Sequence, residues 1–523
     1  MLPLFSLRRY SLLLTLTVFS VGMAHGAVPK GSEAEEIALK AIDEVRASEP
    51  GLPSVDVLPI AMAAGEGPIS LTLPRALEIA LANNSTLQTR RERVKIDAQE
   101  LAAVRRGYGP QWRASVTAAR RELGYTREDF RTTDQYTDST QTIGVSQRLP
   151  FGGAISLDVG GSFSERDNTQ GSYAPRATVS LTQPLLRGAG RDLQQEPLTE
   201  AKRSLLYSLR SYKLASEDFA IAVVNDFLTI QNLRAKIRSV EAKRDAFDRL
   251  IKRSQTYFEL GRESEIEVLR ASQESLLVQQ QLLNMELDLK NRLELFAITL
   301  NLPSGVPLEL AEFEIPFQKL NGESHDVVRL ALEARPDLKT AAAAVEDSAR
   351  KLKFARRNLL PDLGLNLKAN TSNTNIRNGS GVINEEYYAG FTLSLPLERT
   401  NERLGVYVAL QMLSQNERAL EMARATISAG VRYGVDRIRN YENAVEIQES
   451  IIQSSTKGVR LAGFRFERGQ ASNRNVIDAN TVLANAINAQ LDLKLFHYIA
   501  TLQLRRDTGR LDFLSSGMLT SLP

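Results

Sequence analysis

Cysteine, histidine, serine and the acids carry most protein chemistry, and their distribution in this chain argues against catalysis. The absence of cysteine excludes disulfides, thiolate metal sites, a cysteine nucleophile and a lipidated N-terminal cysteine. His25, His325 and His497 stand far apart, so neither a histidine-rich metal site nor histidine-centred acid–base chemistry is expected. Arg187-Gly-Ala-Gly-Arg191 contains a GxG, but no second half of a nucleotide fingerprint follows, and it reads as a flexible strand-to-helix joint. Phosphate-cradling loops, nucleophile elbows and metal-spaced acids are missing. The reading is a non-enzyme with no cofactor and no bound metal. Lys plus Arg is 65 against 62 for Asp plus Glu, a net charge of +3 on 523 residues, which gives no electrostatic case for nucleic acid.

Two turns stand out instead, YFELGRES and RFERGQAS. Gly261 and Gly469 suit a left-handed helix terminus, and Ser264 and Ser472 suit the N-cap of a returning helix. The turns belong to a duplication. Phe258, Gly261, Ser264, Val268 and Ala271 match Phe466, Gly469, Ser472, Val476 and Ala479 at an offset of 208. Upstream, Ala80, Leu81, Leu87 and Pro110 match Ala331, Leu332, Leu338 and Pro361 at an offset of 251. The first half is therefore 43 residues longer between these anchors, and 39 of them fall between Pro110 and Pro184, whose counterparts are Pro361 and Pro396.

Each half reads as helix, strands, long helix, turn, helix. Val431, Ile438, Val445, Ile452, Val459 and Phe466 recur every seven residues, and Val223, Ile230, Ile237, Arg244, Ile251 and Phe258 repeat the pattern. This spacing keeps one seam on a partner helix. Asp192 with Gln195 resembles a capping box and Asn401 a second N-cap. Each long helix then runs about 65 residues, roughly 95–100 Å at 1.5 Å per residue. Between helices the period changes to two. Trp112, Ala114, Val116 and Ala118 alternate with polar residues, as do Ala177, Val179 and Leu181, then Leu363, Leu365 and Leu367, then Phe391, Leu393 and Leu395. Strands of this kind fit a barrel with lipid outside and water inside, although a half-buried soluble sheet alternates too. GYTREDFRTTDQYTDS, SERDNTQGSY and SNTNIRNGSG read as long polar loops, and Trp112 as an interfacial aromatic.

Residues 1–26 carry Arg8 and Arg9, then a 13-residue apolar stretch from Ser11 to Met23, then small residues around His25. This is a secretory signal peptide, too short for an anchor. Hydrophobic content of 43% and a mean hydropathy of −0.23, with no later apolar run near 18 residues, exclude a helical membrane protein. The expected boundaries are a flexible lead at 27–70 with one short helix near Glu33–Val45, a first repeat at 71–304, a second at 305–510 and a short tail at 511–523.

The duplicated helix–strands–long-helix unit, with prolines 110, 184, 361 and 396 at junctions and paired FxxGxxS turns, resembles the TolC-like outer-membrane efflux proteins over about residues 68–510. The resemblance implies an α+β membrane fold. In it a homotrimer forms one shared β-barrel, continued by a long periplasmic α-helical tunnel. It also implies a passive exit duct in the outer membrane of a Gram-negative bacterium, working with a periplasmic adaptor protein and an inner-membrane pump or ABC transporter. The turns would be adaptor-contact tips, through Gly261, Arg262, Ser264, Arg468, Gly469, Gln470 and Ser472. At the periplasmic gate, the family's two acids after the second-tip glycine fall on Asn475 and Asp478, and a first-half acid falls on Glu267. The tyrosine and arginine of its closing network fall on Phe466 and Ala471, so that latch is absent or rebuilt here. Two other readings stand beside this one. A secreted coiled-coil adhesin would account for the heptads, and a simple porin for the strands.

The surplus residues contain a further alternation. Ile155, Leu157, Val159, Gly161 and Phe163 face one side, preceded by Ile143 and Val145 and a short turn at LPFGGA. The expectation is four strands in the first half and two in the second. Three chains would then build 18 strands where the family's usual plan gives 12; the other reading of the extra hairpin is an extracellular flap or a plug folded into the lumen.

Overall fold

The computed structural model describes residues 31–49, 52–53, 69–127, 130–166, 171–303, 305, 307–320, 322–375 and 381–511. The expected signal peptide, most of the remaining expected lead and the tail from 512 lie outside them.

The elements in chain order are α1 (Gly31–Ser48), β1 (Ile69–Leu71), α2 (Leu73–Asn83), α3 (Ser85–Arg106), β2 (Gln111–Arg127), β3 (Phe130–Arg148), β4 (Ala154–Arg166), β5 (Ser172–Pro184), α4 (Arg191–Gln194), α5 (Glu196–Glu259), α6 (Glu265–Thr299), β6 (Leu308–Leu310), α7 (Ser324–Ala334), α8 (Pro336–Arg357), β7 (Asp362–Asn375), β8 (Gly381–Ser394), α9 (Thr400–Glu467) and α10 (Asn473–Asp507). From β1 and β6 onward the halves repeat element for element, except that the first holds four long strands to the second's two and adds the short helix α4. The chain divides into two compact units. One takes residues 1–51, 93–208 and 344–417, and the other residues 52–92, 209–343 and 418–523.

The first unit holds the long strands. They form one antiparallel sheet in the order β2-β3-β4-β5-β7-β8. Its faces differ as alternation requires. Four of the six long strands are bounded by proline. Pro110 and Pro361 precede β2 and β7, Pro184 ends β5, and Pro396 follows β8, because proline cannot donate to the ladder. Strand runs into all three expected loops. β2 and β3 pair as far as Arg127 with Phe130, so the described residues of GYTREDFRTTDQYTDS belong to a hairpin. β4 runs to Arg166, and β7 runs to Asn375. Residues 128–129, 167–170 and 376–380 lie outside the described residues. α1 is docked, with Ala38, Ala41 and Ile42 buried and Arg105 of α3 paired to Glu44 at 2.7 Å. This part of the expected flexible lead is therefore structured.

The second unit is helical apart from a small parallel sheet in which Ile69, Ser70 and Leu71 pair with Leu308, Glu309 and Leu310. Its largest core gathers Phe227, Leu228, Phe296, Leu300, Tyr498 and Leu502 with α2 and β1. Val431, Val435 and Ile438 of α9 bury against Ala331, Ala500 and Leu504. The seven-residue seam holds at Val223, Ile230 and Ile237, then drifts. Val240, Phe247 and Leu250 are buried beyond it, while Phe258 is exposed. A straight helix loses about 20° per heptad against a strict seven-residue repeat, which moves the buried stripe onto neighbouring positions.

The two expected helix caps are not formed as drawn. Asp192 pairs with Lys353 at 3.0 Å, and Gln195 accepts from Arg191 at 3.2 Å. Asn401 sits inside α9, which starts at Thr400.

Candidate functional site: the paired helix turns

Both turns lie in the second unit. α5 ends by bonding Gly261 N–H to the Phe258 carbonyl and Arg262 N–H to the Tyr257 carbonyl, each at 2.8 Å. α9 does the same through Gly469 to Phe466 at 2.9 Å and Gln470 to Arg465 at 2.8 Å. Gly261 and Gly469 have φ of 68° and 71°, the left-handed terminus glycine supports without steric cost. The returning helices start after Ser264 and Ser472.

The turns are tied to each other beneath their exposed ends. Ser254 and Asn473 are fully buried. The Ser254 hydroxyl donates to Asn473 Oδ1 at 2.9 Å, and Asn473 Nδ2 lies 2.6 Å from the same hydroxyl and donates to the Glu267 carbonyl at 3.0 Å. Arg253 pairs with Glu467 at 2.8 Å, and the Tyr257 and Phe466 rings stand 5.7 Å apart. Below them Phe247, Leu250, Ala271, Val278, Phe466 and Ile477 form one apolar cluster. Glu263 and Glu267 each keep Oε2 enclosed without a hydrogen-bond partner. Burial raises the Glu263 carboxyl above its ordinary value; the Ser254 hydroxyl opposes this, and the Glu267 carboxylate adds to it.

The expected gate residues separate into three environments. Asn475 is engaged in the second turn, its Oδ1 accepting from Ser472 N–H at 3.2 Å and from the Ser472 hydroxyl at 3.0 Å. Glu267 pairs with Arg270 at 2.5 Å inside the tie. Asp478 stays 68% exposed, with Arg474 one turn away at 3.8 Å. Arg468 stacks on the Phe464 ring at 4.0 Å, leaving Gln470 and Gly469 on the exposed rim. Ser254, Glu263 and Asn473 were missed in the sequence. Asn473 matches Glu265 at the shared offset of 208, and that mismatch beside matched serines was the available signal.

His497 is buried and lies 3.6 Å from Glu442, with the Phe317 ring 4.7 Å away; burial lowers its pKa against the opposing pull of the Glu442 carboxylate. Among the described residues no cluster of three potential metal ligands occurs, and no helix is long and apolar enough to cross a membrane.

Comparison with known proteins follows from this geometry. The outer membrane efflux protein family model matches residues 327–510. No curated protein matches the sequence. Among solved structures, the outer-membrane channel OprN is similar at a TM-score of 0.65 and 12% identity, over 84% of this chain and 90% of its own. The CmeC outer membrane channel of Campylobacter jejuni is similar at 0.62 and 16%, over 86% and 90%. The outer membrane protein VceC of Vibrio cholerae is similar at 0.62 and 15%, over 84% and 96%. At these identities the likeness is one of fold. The resemblance to outer-membrane efflux proteins drawn from the sequence is met by both comparisons.

Proposed function

We propose, from a second repeat that matches the outer membrane efflux protein family and a fold shared with outer-membrane channels, that this protein is a passive outer-membrane exit duct. It serves a tripartite efflux or type I secretion system and carries small molecules or polypeptides. The observation that carries the reading is the sheet of the first unit. One face is apolar across every strand and exposed in the single chain, and the other is polar. A soluble protein does not leave such a face to water, whereas a membrane barrel presents it to lipid. The sheet's free edges, β2 and β8, require further copies, since open edges are not tolerated in hydrocarbon.

In this reading three copies assemble. The paired turns dock a periplasmic adaptor protein, which couples the duct to an inner-membrane pump or ABC transporter. The exposed rim of Arg262, Arg468 and Gln470 supports this assignment, being polar, open and placed on a cross-tied base. Asp478, solvent-facing on α10, is the acid placed to line the entrance. The secreted adhesin reading leaves the two-faced sheet without a role, and the simple porin reading leaves the long helices without one.

The test is export. Deleting the gene should lower drug tolerance or abolish a secreted product. Ser472→Arg should impair export while leaving the heat-stable oligomer in the outer-membrane fraction. Photo-crosslinkers at Arg468 and Gln470 should capture the adaptor. Unchanged export together with absent crosslinks would place the adaptor contact elsewhere.

A further inference from the structure

The hairpin β3–β4 is the part of the chain with no counterpart in the second half. Three independent sets of contacts build it into the sheet. Its register is the first. Trp112, Val145, Leu157, Val179, Ala369 and Tyr387 are successive partners across β2, β3, β4, β5, β7 and β8. Cross-strand partners in antiparallel pairs share a face, so this is one unbroken apolar row through all six strands. The adjacent row, Arg113, Gly144, Asp158, Thr178, Asn370 and Glu386, lies on the opposite face and is polar apart from Gly144. A plug or flap has no reason to keep its alternation in phase with four strands outside it. A one-residue slip would put its apolar side chains among the polar ones.

The second set ties β2 to β4 over the top of β3. Arg113 reaches Asp158 at 2.5 Å, passing above Gly144, where an added Cβ would stand 2.1 Å from the Asp158 carboxylate. The bridge needs glycine there. The third set anchors the hairpin's short turn. Phe151 offers its carbonyl to Gly190 N–H at 3.2 Å and to Gln183 Nε2 at 3.3 Å, and Gly152 packs so closely on the Gly188 carbonyl that a Cβ would stand 2.7 Å from it. Gly188 and Gly190 have φ of 81° and 107°. The RGAGR segment is thus a shaped joint holding the hairpin turn against the start of α4, rather than a flexible one.

We infer that every copy contributes six strands, hairpin included, to one shared membrane wall, with β8 of one copy pairing to β2 of the next. Six is even, so β2 and β8 run in opposite directions and head-to-tail pairing preserves the antiparallel order around the ring. The apolar stretch from Ile155 to Phe163 is nine residues long, about the length a tilted strand needs to cross a bilayer. This rests on the three-copy reading above, which then gives 18 strands. At a strand spacing of ~4.8 Å and a tilt of ~40°, 18 strands enclose a backbone diameter of about 36 Å, against about 24 Å for 12. The enlarged lumen is a water-filled pore in which Arg113 pairs across strands with Asp158 and Arg121 pairs with Asp138 at 2.6 Å, and it suits bulky cargo.

The absence of cysteine makes the test direct. Single cysteines at Leu157, Val159, Thr142 and Ser162 are spin-labelled in the full chain, reconstituted in phosphatidylcholine vesicles. Labels at Leu157 and Val159 should collide with oxygen and be shielded from a water-soluble nickel chelate; Thr142 and Ser162 should behave in the opposite way. Electron cryomicroscopy of the same oligomer should count 18 strands from three copies. Three copies with nickel-accessible labels at Leu157 and Val159, or a wall of 12 strands, overturns the inference and leaves the duct reading standing. A copy number other than three overturns the count of 18 together with the three-copy reading.

Discussion

The turn after α5 and the turn after α9 share a backbone and differ in what their side chains hold. Both close on a left-handed glycine with the same two carbonyl contacts. After the first, Glu265 and Glu267 occupy the opening of α6, where carboxylates meet the positive end of the helix dipole. After the second, α10 opens with no acid, and Ser472 is engaged by Asn475. The aromatic positions divide in the same way, with Phe466 buried and Phe258 exposed. Duplication supplied two copies of a stable turn. Divergence made the second the inserting partner, through Asn473 and Phe466, and the first the receiving one, through Ser254 and Glu267.

The sharpest way to break this asymmetry is Asn473→Ala. It removes the side chain that satisfies both the buried Ser254 hydroxyl and the Glu267 carbonyl. Leaving the buried Ser254 hydroxyl without this partner costs about 1–3 kcal/mol. Hydrogen exchange of the 254–267 segment should accelerate in step, while the sheet residues keep their protection. Unchanged exchange there would mean that the tie carries no stability.

Replacing the glycines tests the shared part. Neither Gly261 nor Gly469 has an atom within 4 Å of an added Cβ, so the first side-chain carbon meets no clash, and the left-handed backbone is penalised by at least about 1–2 kcal/mol for β-branched valine. Equal losses of melting temperature are expected for Gly261→Val and Gly469→Val. Export should fall in both without loss of the oligomer. A markedly unequal pair of melting shifts would show that one turn is braced by contacts the other lacks.

Much of this arrangement was legible beforehand, and the exceptions share a cause. The long helices and strands announce themselves because Val431, Ile438 and Val445, or Leu363, Leu365 and Leu367, repeat their period many times. The pairing of Ile69–Leu71 with Leu308–Leu310 spans three residues, too few for any period, and its partners are 239 positions apart. The stretch from Gly124 to Ser139 read as loop because the sequence turns polar on both faces beyond the apolar band, as it already does where Arg121 pairs with Asp138 and Arg120 with Gln135. Ser254, Glu263 and Asn473 were invisible for another reason. Polar residues on a long helix normally face water, and only the packing of one turn on the other encloses them.

A gentler perturbation of the receiving turn is protonation. Because the folded state raises the Glu263 carboxyl above its ordinary value of 4.5, folding binds that proton more tightly. Its contribution is therefore fully present below about pH 4.5 and is lost as pH rises through the raised value. Glu263→Gln should abolish this part of the pH dependence and slightly raise stability at neutral pH, by less than the glycine effects. Thermal melting between pH 4 and 8 measures it. A variant whose melting curve keeps the parent's pH slope would assign the slope to another group.

The smallest effect is expected at Asp478, which belongs to the inserting half yet makes none of the ties. Its carboxylate is exposed and meets Arg474 only loosely, so Asp478→Asn should leave melting within about 0.5 kcal/mol, as for surface substitutions generally. Its role in the proposed duct is electrostatic. Three copies around one axis would set three carboxylates facing a common space, where their fields add and multivalent cations collect. Removing them should shift block of single-channel current by a trivalent cation to higher concentration by about fivefold, corresponding to ~1 kcal/mol for unit charges ~4 Å apart in water. Arg474→Gln should shift it the other way, by freeing the carboxylate. If neither substitution moves the block curve in planar bilayers, α10 turns Asp478 away from the pore. The division between the turns would then be one of packing alone.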